Sequence, residues 1–339
     1  VVAGGRLLQR GILLKTGTAL ERLASVDVAV FDKTGTLTRG TPQWINRDAL
    51  SEDDIHLATS MAIVSKHPLS RALSRDVSGV PAAEGVEEVP GSGLKLMTAD
   101  GEVRLGRRGW CGVAEDGEHA EAELWLARPD AAPVRFAFSD QVRIDAAHTV
   151  AALKAQGIDV MLLSGDRHAA VAAAAQDAGI DDWHAELKPA DKVDRLSALA
   201  EQGKNVMMVG DGLTDAPALA AAHVSLSPSS AADVSQTAAD VIFQGDKLAP
   251  VLEALHVAKY ADKLIKQNFA LSFAYNAATI PMALAGFVTP LIAAIAMSTS
   301  SLVVISNSLR LGLGKGFTLK RQTDPQSNKP VQPAAQKET

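Results

Sequence analysis

Cysteine is almost missing. One thiol, Cys111, in 339 residues excludes an internal disulfide framework, and no CxxC pair exists to clip a metal. Aromatic residues are scarce as well: they make up 4% of a chain that is 47% hydrophobic, so Ala, Val and Leu must fill the core. That balance suits Ala-rich helices around a Val-rich sheet. There is no excess of positive charge; the net charge of −6 argues against nonspecific nucleic-acid binding, and no nucleic-acid partner is expected. No signal-peptide pattern and no internal repeat stand out. The chain starts at Val rather than Met, so a fragment or trimmed chain is expected. Its length allows two or more domains with real cores.

What is present is organised around Val28-Ala29-Val30-Phe31-Asp32-Lys33-Thr34-Gly35-Thr36-Leu37-Thr38. The apolar run reads as a buried strand that stops at an acid. The Gly and Thr residues after it suit a tight loop whose backbone N–H groups and hydroxyls face an anion. A carboxylate at the carboxyl end of a parallel strand lies where open α/β sheets bind ligands. The string DKTGTLT resembles the phosphorylation loop of P-type ATPases, which implies that Asp32 is a nucleophile for the γ-phosphoryl of ATP. The related haloacid-dehalogenase phosphatases usually carry a second Asp two places on, as acid and base. Thr34 stands there instead and cannot act as a base near neutral pH, so an aspartyl-phosphate should persist.

In order along the chain, residues 1–24 read as a helical lead-in with Arg and Lys among Leu and Ile, or as a lone amphipathic helix. The phosphorylation domain is expected at 25–41 and 134–255, with a nucleotide-binding domain inserted at 42–133. Within the insert, Ser51-Glu52-Asp53-Asp54 is a helix start with acids in its first turn. Alone, His67-Pro68 reads as a surface loop and Gly91-Ser92-Gly93 as a turn. Together they resemble the His-Pro and GxG motifs of heavy-metal ATPase nucleotide domains, which implies that His67 orients adenine and that Gly91 and Gly93 let backbone approach the nucleotide. Two places depart from that pattern: Ala62 replaces a Glu, and Arg107 follows Gly106 where an Asn is usual. Cys111 and Trp110 read as core packing.

From Val134 strands and helices alternate: a helix from Asp145 to Gln156 closed by Gly157, a strand from Ile158 to Leu163, a helix over 168–178 ended by Gly179, a helix opened by Pro189, and a strand from Val206 to Val209. This predicts a doubly wound parallel sheet, so that the loops bearing Asp32, Ser164-Gly165-Asp166 and Asp211 converge. An ionised Asp approaching a polyanionic phosphate requires a Mg²⁺ between them, and Mg²⁺ needs only one or two carboxylates. By family resemblance its ligands are Asp32, Asp211 and the Thr34 carbonyl, with Asp215 in support. Lys192, Ser164 and the Thr34 hydroxyl would hold phosphoryl oxygens. Asp166 reads either as a helix N-cap or, from the resemblance, as lining the nucleotide side. The family pattern GDGxND has Thr214 in place of Asn here.

Phe269 to Val288 and Leu291 to Leu309 are each about 20 residues without a charge, long enough to cross a bilayer core of roughly 30 Å. Lys259, Lys263 and Lys266 precede the pair and Arg310, Lys315, Lys320 and Arg321 follow it, so both ends read as cytoplasmic. Buried helices of a soluble domain are the other reading. A linker helix and two transmembrane helices are expected over 256–311 and a disordered tail over 312–339. Tyr275, Asn276, Met297 and Ser301 resemble the last transport helices of copper(I) ATPases, and a thioether suits Cu(I); small hydroxyl residues also pack helices. The resemblance covers Val1 to Leu311. It implies ATP and Mg²⁺ as cofactors, Cu(I) as transported ion delivered by a copper chaperone, lipid contact, and a multi-pass inner-membrane pump of the branch serving respiratory oxidase assembly. No TGE motif is present, so an actuator loop is not expected in this stretch. A soluble phosphatase and a nucleotide-binding regulatory module are the rival classes, and a pump for another soft metal stays open.

Overall fold

The computed structural model describes residues 2–114, 121–129, 131–211, 215–231 and 233–313. Thr214 and the tail from residue 314 on lie outside the described residues, while the last helix runs through residues 312 and 313.

Seven strands form one sheet in the order Ile12–Leu14, Val241–Phe243, Val224–Pro228, Val206–Val209, Val28–Asp32, Asp159–Leu163, Asp182–His184. All neighbours are parallel except the first pair. Every residue of Val28–Asp32 is buried, as expected for a strand covered on both faces. Alternation sends Ala29 and Phe31 into one layer with Val150, Val171 and Leu255. Val28 and Val30 meet Leu196, Met208 and Leu219 on the other side. After Val28–Asp32 the chain builds outward on one side and returns with Val206–Val209 on the other. The strand order therefore reverses at Val28–Asp32, and the loops that follow the three central strands open together.

The inserted domain is a six-stranded antiparallel sheet, Gln43–Trp44, Val134–Ser139, Ala122–Ala127, Gly101–Gly106, Gly93–Thr98, Glu87–Val89, packed by helices Glu52–Ala62 and Pro68–Arg75. Ser51 caps the first of these, accepting from the Asp54 amide at 3.2 Å.

Three expectations change. Val134–Ser139, read from sequence as the resumption of the parallel sheet, pairs with Ala122–Ala127 and Gln43–Trp44 instead. Its Phe136 and Phe138 fill the inserted core beside Ile55, Met61 and Leu73; an apolar alternation specifies a strand but not its partner. The lead-in is not all helix: Val2–Gln9 and Ala19–Ala24 flank a strand, Ile12–Leu14, that closes the edge of the parallel sheet. Gly11, at φ +74°, breaks the helix. Finally, the charge-free run from Phe269 is not a separate helix but the far end of a 36-residue helix, Ala249–Leu284. The near end buries Val251, Leu255 and Ala258, whereas Phe269, Phe273 and Leu284 are exposed. Among the described residues one helix, Pro290–Leu311, is by itself long and apolar enough to cross a membrane.

The middle of the first long helix is joined to the end of the last one, where Asn268 donates to Ser308 at 3.0 Å and Asn307 donates to Asn268 at 2.8 Å. The start of the 36-residue helix is held from outside. The Asp145 carboxylate accepts from the Leu248 and Ala249 amides at 3.1 and 2.8 Å, satisfying two of the donors that every helix start leaves open. Asp145→Ala should lower stability by about 1–2 kcal/mol, the usual loss for a helix cap. A shifted urea midpoint checks this, and Asp145→Asn, which keeps one acceptor oxygen of the two, should recover only part of it.

Candidate active site

The site starts with the backbone after Asp32. Thr34 is extended and Gly35 turns left-handed at φ +70°. A Cβ on Gly35 would lie 1.6 Å from Asp211 Oδ2, so this position needs glycine for its dihedral and for the approach of the acid. The loop carbonyls point inward and one side chain gathers them. Arg143, 4% exposed, donates to Gly35 O at 2.8 Å, Thr36 O at 2.7 Å and Thr38 O at 3.2 Å. Asp140 braces the same loop, accepting from the Thr38 hydroxyl at 2.5 Å and the Gly40 amide at 3.0 Å. Sequence reasoning missed both residues. Their only signal was an acid and a base, three apart, just past a strand.

Lys192 comes from helix Pro189–Glu201, whose first turn is fixed by Pro189 and by Asp191 accepting from the Lys188 amide at 2.8 Å. Its buried ammonium lies between two carboxylates, 2.5 Å from Asp32 Oδ1 and 2.7 Å from Asp215 Oδ1. Asp32, Asp211 and Asp215 each bring a carboxylate oxygen within 4.8 Å of the others. Burial first, then the neighbouring Asp215, raise the Asp32 pKa to about 7 against the pull of Lys192. Burial and Asp215 likewise raise Asp211 to about 6, partly offset by Arg143. Burial works against the charge on Lys192, but Asp32 and Asp215 outweigh it and its pKa is raised. Three crowded hard-oxygen donors with one ammonium among them are short of positive charge. That donor set fits Mg²⁺.

A small cavity of about 180 Å³ adjoins Asp32, lined by Thr34, Ser164, Gly165, Asp166 and Lys192 among others. The Ser164 hydroxyl accepts from the Asp166 amide at 3.1 Å, leaving its own proton to donate. Asp166 accepts from the Thr34 hydroxyl at 3.1 Å and pairs with Lys33 at 2.8 Å. Burial opposes its charge, yet Lys33 and Thr34 hold its pKa below the usual range. Asp166 is therefore not the helix cap; Arg167 occupies that place, with no side-chain cap bond.

A second cavity, about 840 Å³, lies mainly in the inserted domain and is lined by His67, Gly91, Gly93, Glu88, Arg107 and Trp110 among others. The expected nucleotide residues divide: His67, Gly91 and Gly93 share this cavity, while Asp166 belongs to the small one, drawn there by Lys33 and Thr34. His67 Nδ1 accepts from the Leu69 amide at 3.3 Å, which leaves Nε2–H as the ring's donor. Gly93 and Gly106 face each other across their strands. A Cβ on either would lie within 2.9 Å of the Trp110 ring, so the glycines also make room for that indole. Ala62 is fully buried in the inserted core and away from the cavity, where Glu88 supplies a carboxylate instead.

Tyr275, Asn276, Met297 and Ser301 lie on the two long helices. The Asn268–Ser308 bond sets an antiparallel register in which Tyr275 and Ser301 are each seven residues nearer the turn. Among the described residues no hydrogen bond joins these four to one another across the helices; Ser301 donates to the Met297 carbonyl of its own helix at 3.1 Å.

Residues 26–223 match the haloacid dehalogenase-like hydrolases. The nitrogen fixation protein FixI of Rhizobium meliloti (strain 1021) is 44% identical over 94% of this chain and 43% of its own length. The probable copper-transporting ATPase SynA of Synechococcus sp. (strain ATCC 27144 / PCC 6301 / SAUG 1402/1) is 37% identical over 92% of this chain and 42% of its own. The chain thus spans less than half the length of the curated relatives it matches. Among solved structures, a zinc-transporting PIB-type ATPase in the E2.Pi state superposes with a TM-score of 0.79 at 29% identity, covering 91% of this chain and 54% of that one. The catalytic domain of the CPx-ATPase CopB-B gives 0.63 at 26% identity, with 74% and 98% covered.

Gly35→Ala must displace Asp211, and Mg²⁺ affinity should fall at least tenfold, or about 1.4 kcal/mol; Mn²⁺ paramagnetic titration of the variant checks it. The raised acids also set a pH dependence. Protons occupy Asp32 below about pH 7 and Asp211 below about pH 6 in the metal-free protein. Mg²⁺ must displace them, so its affinity should be full near pH 8 and fall as pH drops, by up to about tenfold per unit for each proton released. Calorimetry between pH 8 and 5 reads this directly, and an affinity flat across that range would refute it.

Proposed function

The chain belongs to the haloacid dehalogenase-like hydrolases and, within them, to the heavy-metal P-type ATPases; on that premise we propose that it is the part of a Cu(I)-exporting pump that takes the γ-phosphoryl of ATP onto Asp32. The observation that carries this reading is the buried group of Asp32, Lys192, Asp215 and Asp211 beside a small cavity at the carboxyl edge of the sheet. Bound there, Mg²⁺ would be held by Asp32, Asp211 and the Thr34 carbonyl and would offset the repulsion between carboxylate and polyphosphate.

The protein groups divide the remaining work. Lys192 occupies Asp32 Oδ1, which leaves Oδ2 to attack. The new bond joins Oδ2 to the γ-phosphorus as the bond to the β,γ-bridging oxygen breaks, and ADP departs with that electron pair. Ser164 and Lys192 donate to the phosphoryl oxygens, and the Thr34 hydroxyl joins them by turning its one proton away from Asp166. Above pH 7 Asp32 is ionised without help from a base. The Thr34 hydroxyl stands where a phosphatase keeps its acid and base, and it already donates to Asp166. With a hydroxyl rather than an acid-base residue at that position, the aspartyl-phosphate persists.

The ion assignment rests on the hairpin. No Asp, Glu, Lys or Arg lies between Phe269 and Leu309, while Met297 supplies a soft thioether and Tyr275, Asn276 and Ser301 supply polar groups on the same two helices. Phe269, Phe273, Leu284 and Leu291 present an apolar surface suited to lipid or to further pump helices. In this reading the whole pump is a multi-pass inner-membrane protein, receives Cu(I) from a copper chaperone, and serves assembly of a respiratory oxidase.

Brief exposure of the purified chain to γ-labelled ATP and Mg²⁺, followed by acid quench, should give an acid-stable, hydroxylamine-labile label. Asp32→Asn should abolish it. ATP binding with no covalent label, even after Thr214→Asn, would instead favour a nucleotide-binding regulatory module. In the full-length pump Cu(I) should stimulate labelling; stimulation by Zn²⁺ alone would overturn the ion assignment.

A further inference from the structure

Three arginines line the large cavity, and they are not equivalent. Arg108 is 6% exposed, bonded to Glu123 at 2.9 Å and set over the Trp125 ring. It is part of the inserted domain's framework. Arg107 and Arg167 are exposed and come from different domains. The Arg107 amide donates to Ser92 O at 3.0 Å, which fixes its backbone beside the Gly91-Ser92-Gly93 turn. Its guanidinium makes no hydrogen bond or ion pair among the described residues. Arg167 belongs to the parallel-sheet domain, yet its Nη2 reaches the Glu121 carbonyl of the inserted domain at 3.1 Å.

Arg167 also links the two cavities in the chain itself. Asp166, one residue earlier, lines the small cavity with Asp32. A nucleotide whose base lies by His67 and whose γ-phosphate reaches Asp32 must run its phosphates past residues 166 and 167. A guanidinium matches phosphate oxygens in a two-pronged geometry, and two parallel bonds to an anion outweigh a single bond to a carbonyl. The Glu121 carbonyl is neutral.

We propose that Arg167 and Arg107 clamp the polyphosphate of ATP from opposite sides of the interdomain cleft, Arg167 exchanging the Glu121 carbonyl for phosphate oxygens as the nucleotide enters. This rests on the ATP reading above. Both are positioning residues: they hold the phosphate chain so that its last phosphorus meets Asp32, and they make the site prefer nucleoside di- and triphosphates over monophosphates.

The test is titration of the purified chain with ATP and AMP to millimolar levels, followed by calorimetry, alongside the rate of Asp32 labelling. Arg167→Gln and Arg107→Gln should each weaken ATP about tenfold and AMP less than twofold. For Arg107→Gln the ATP concentration that gives half the maximal labelling rate should rise by a similar factor, while the labelling rate at saturating ATP falls less than the affinity does. Arg167→Lys, which keeps charge without the fork, should recover part of the loss. Unchanged ATP affinity in both glutamine variants overturns the clamp, and so does equal loss of ATP and AMP, since that marks a structural role. Failure of the unmodified chain to bind either nucleotide overturns the ATP reading itself and the clamp with it.

Discussion

One buried ammonium holds the catalytic end of the sheet together. Lys192 is shared by Asp32 and Asp215, with Asp211 close by, in a place from which water is nearly excluded. Removing such charges from water costs several kcal/mol each, and only close pairing offsets it. Burial first, and then three acids crowded against one base, make Asp32 and Asp211 titrate high, and the shortage of positive charge is why a divalent cation suits the site. The same shortage ties stability, metal binding and reactivity to one another. Each is a consequence of which charge neutralises the carboxylates at a given moment.

Around this group the fold works chiefly to fix backbone. Arg143 draws three loop carbonyls inward, Gly35 admits Asp211 where a methyl group would exclude it, and Asp140 ties the loop's far end. None of these groups need touch a phosphoryl group. They hold the Asp32 loop rigid, so that its orienting hydrogen bonds exist before substrate arrives and need no reorganisation during reaction.

The inserted domain and the long C-terminal helix extend the same frame in two directions. The insert places its cavity against the catalytic edge, and Arg167 crosses the boundary between them. The 36-residue helix begins on Asp145, two residues past Arg143, and ends in an apolar surface beside the last helix. At 1.5 Å per residue that helix is about 54 Å long, so one element reaches from the support of the catalytic loop to the hairpin.

Much was legible in sequence because the governing rules are local. The strand ending at Asp32, the Gly-closed helices, the proline that opens the Lys192 helix and the alternation of strand and helix all follow from residue type and spacing. These determine a parallel α/β sheet with acids at its carboxyl edge, and the motifs within it identify the family. What sequence could not decide was partnership. Val134–Ser139 is plainly a strand, but only packing of Phe136 and Phe138 assigns it to the inserted sheet. Arg143 lies 107 residues from the carbonyl it holds, and Ala62 reads as a lost ligand until it is seen buried in a core. The charge-free run after Phe269 looks like a separate span, yet it continues the helix whose near end packs in the core of the parallel-sheet domain. Periodicity and propensity are properties of neighbours in the chain; which groups share a charge, a sheet edge or a cavity depends on contacts between distant segments, and only the tertiary structure supplies those.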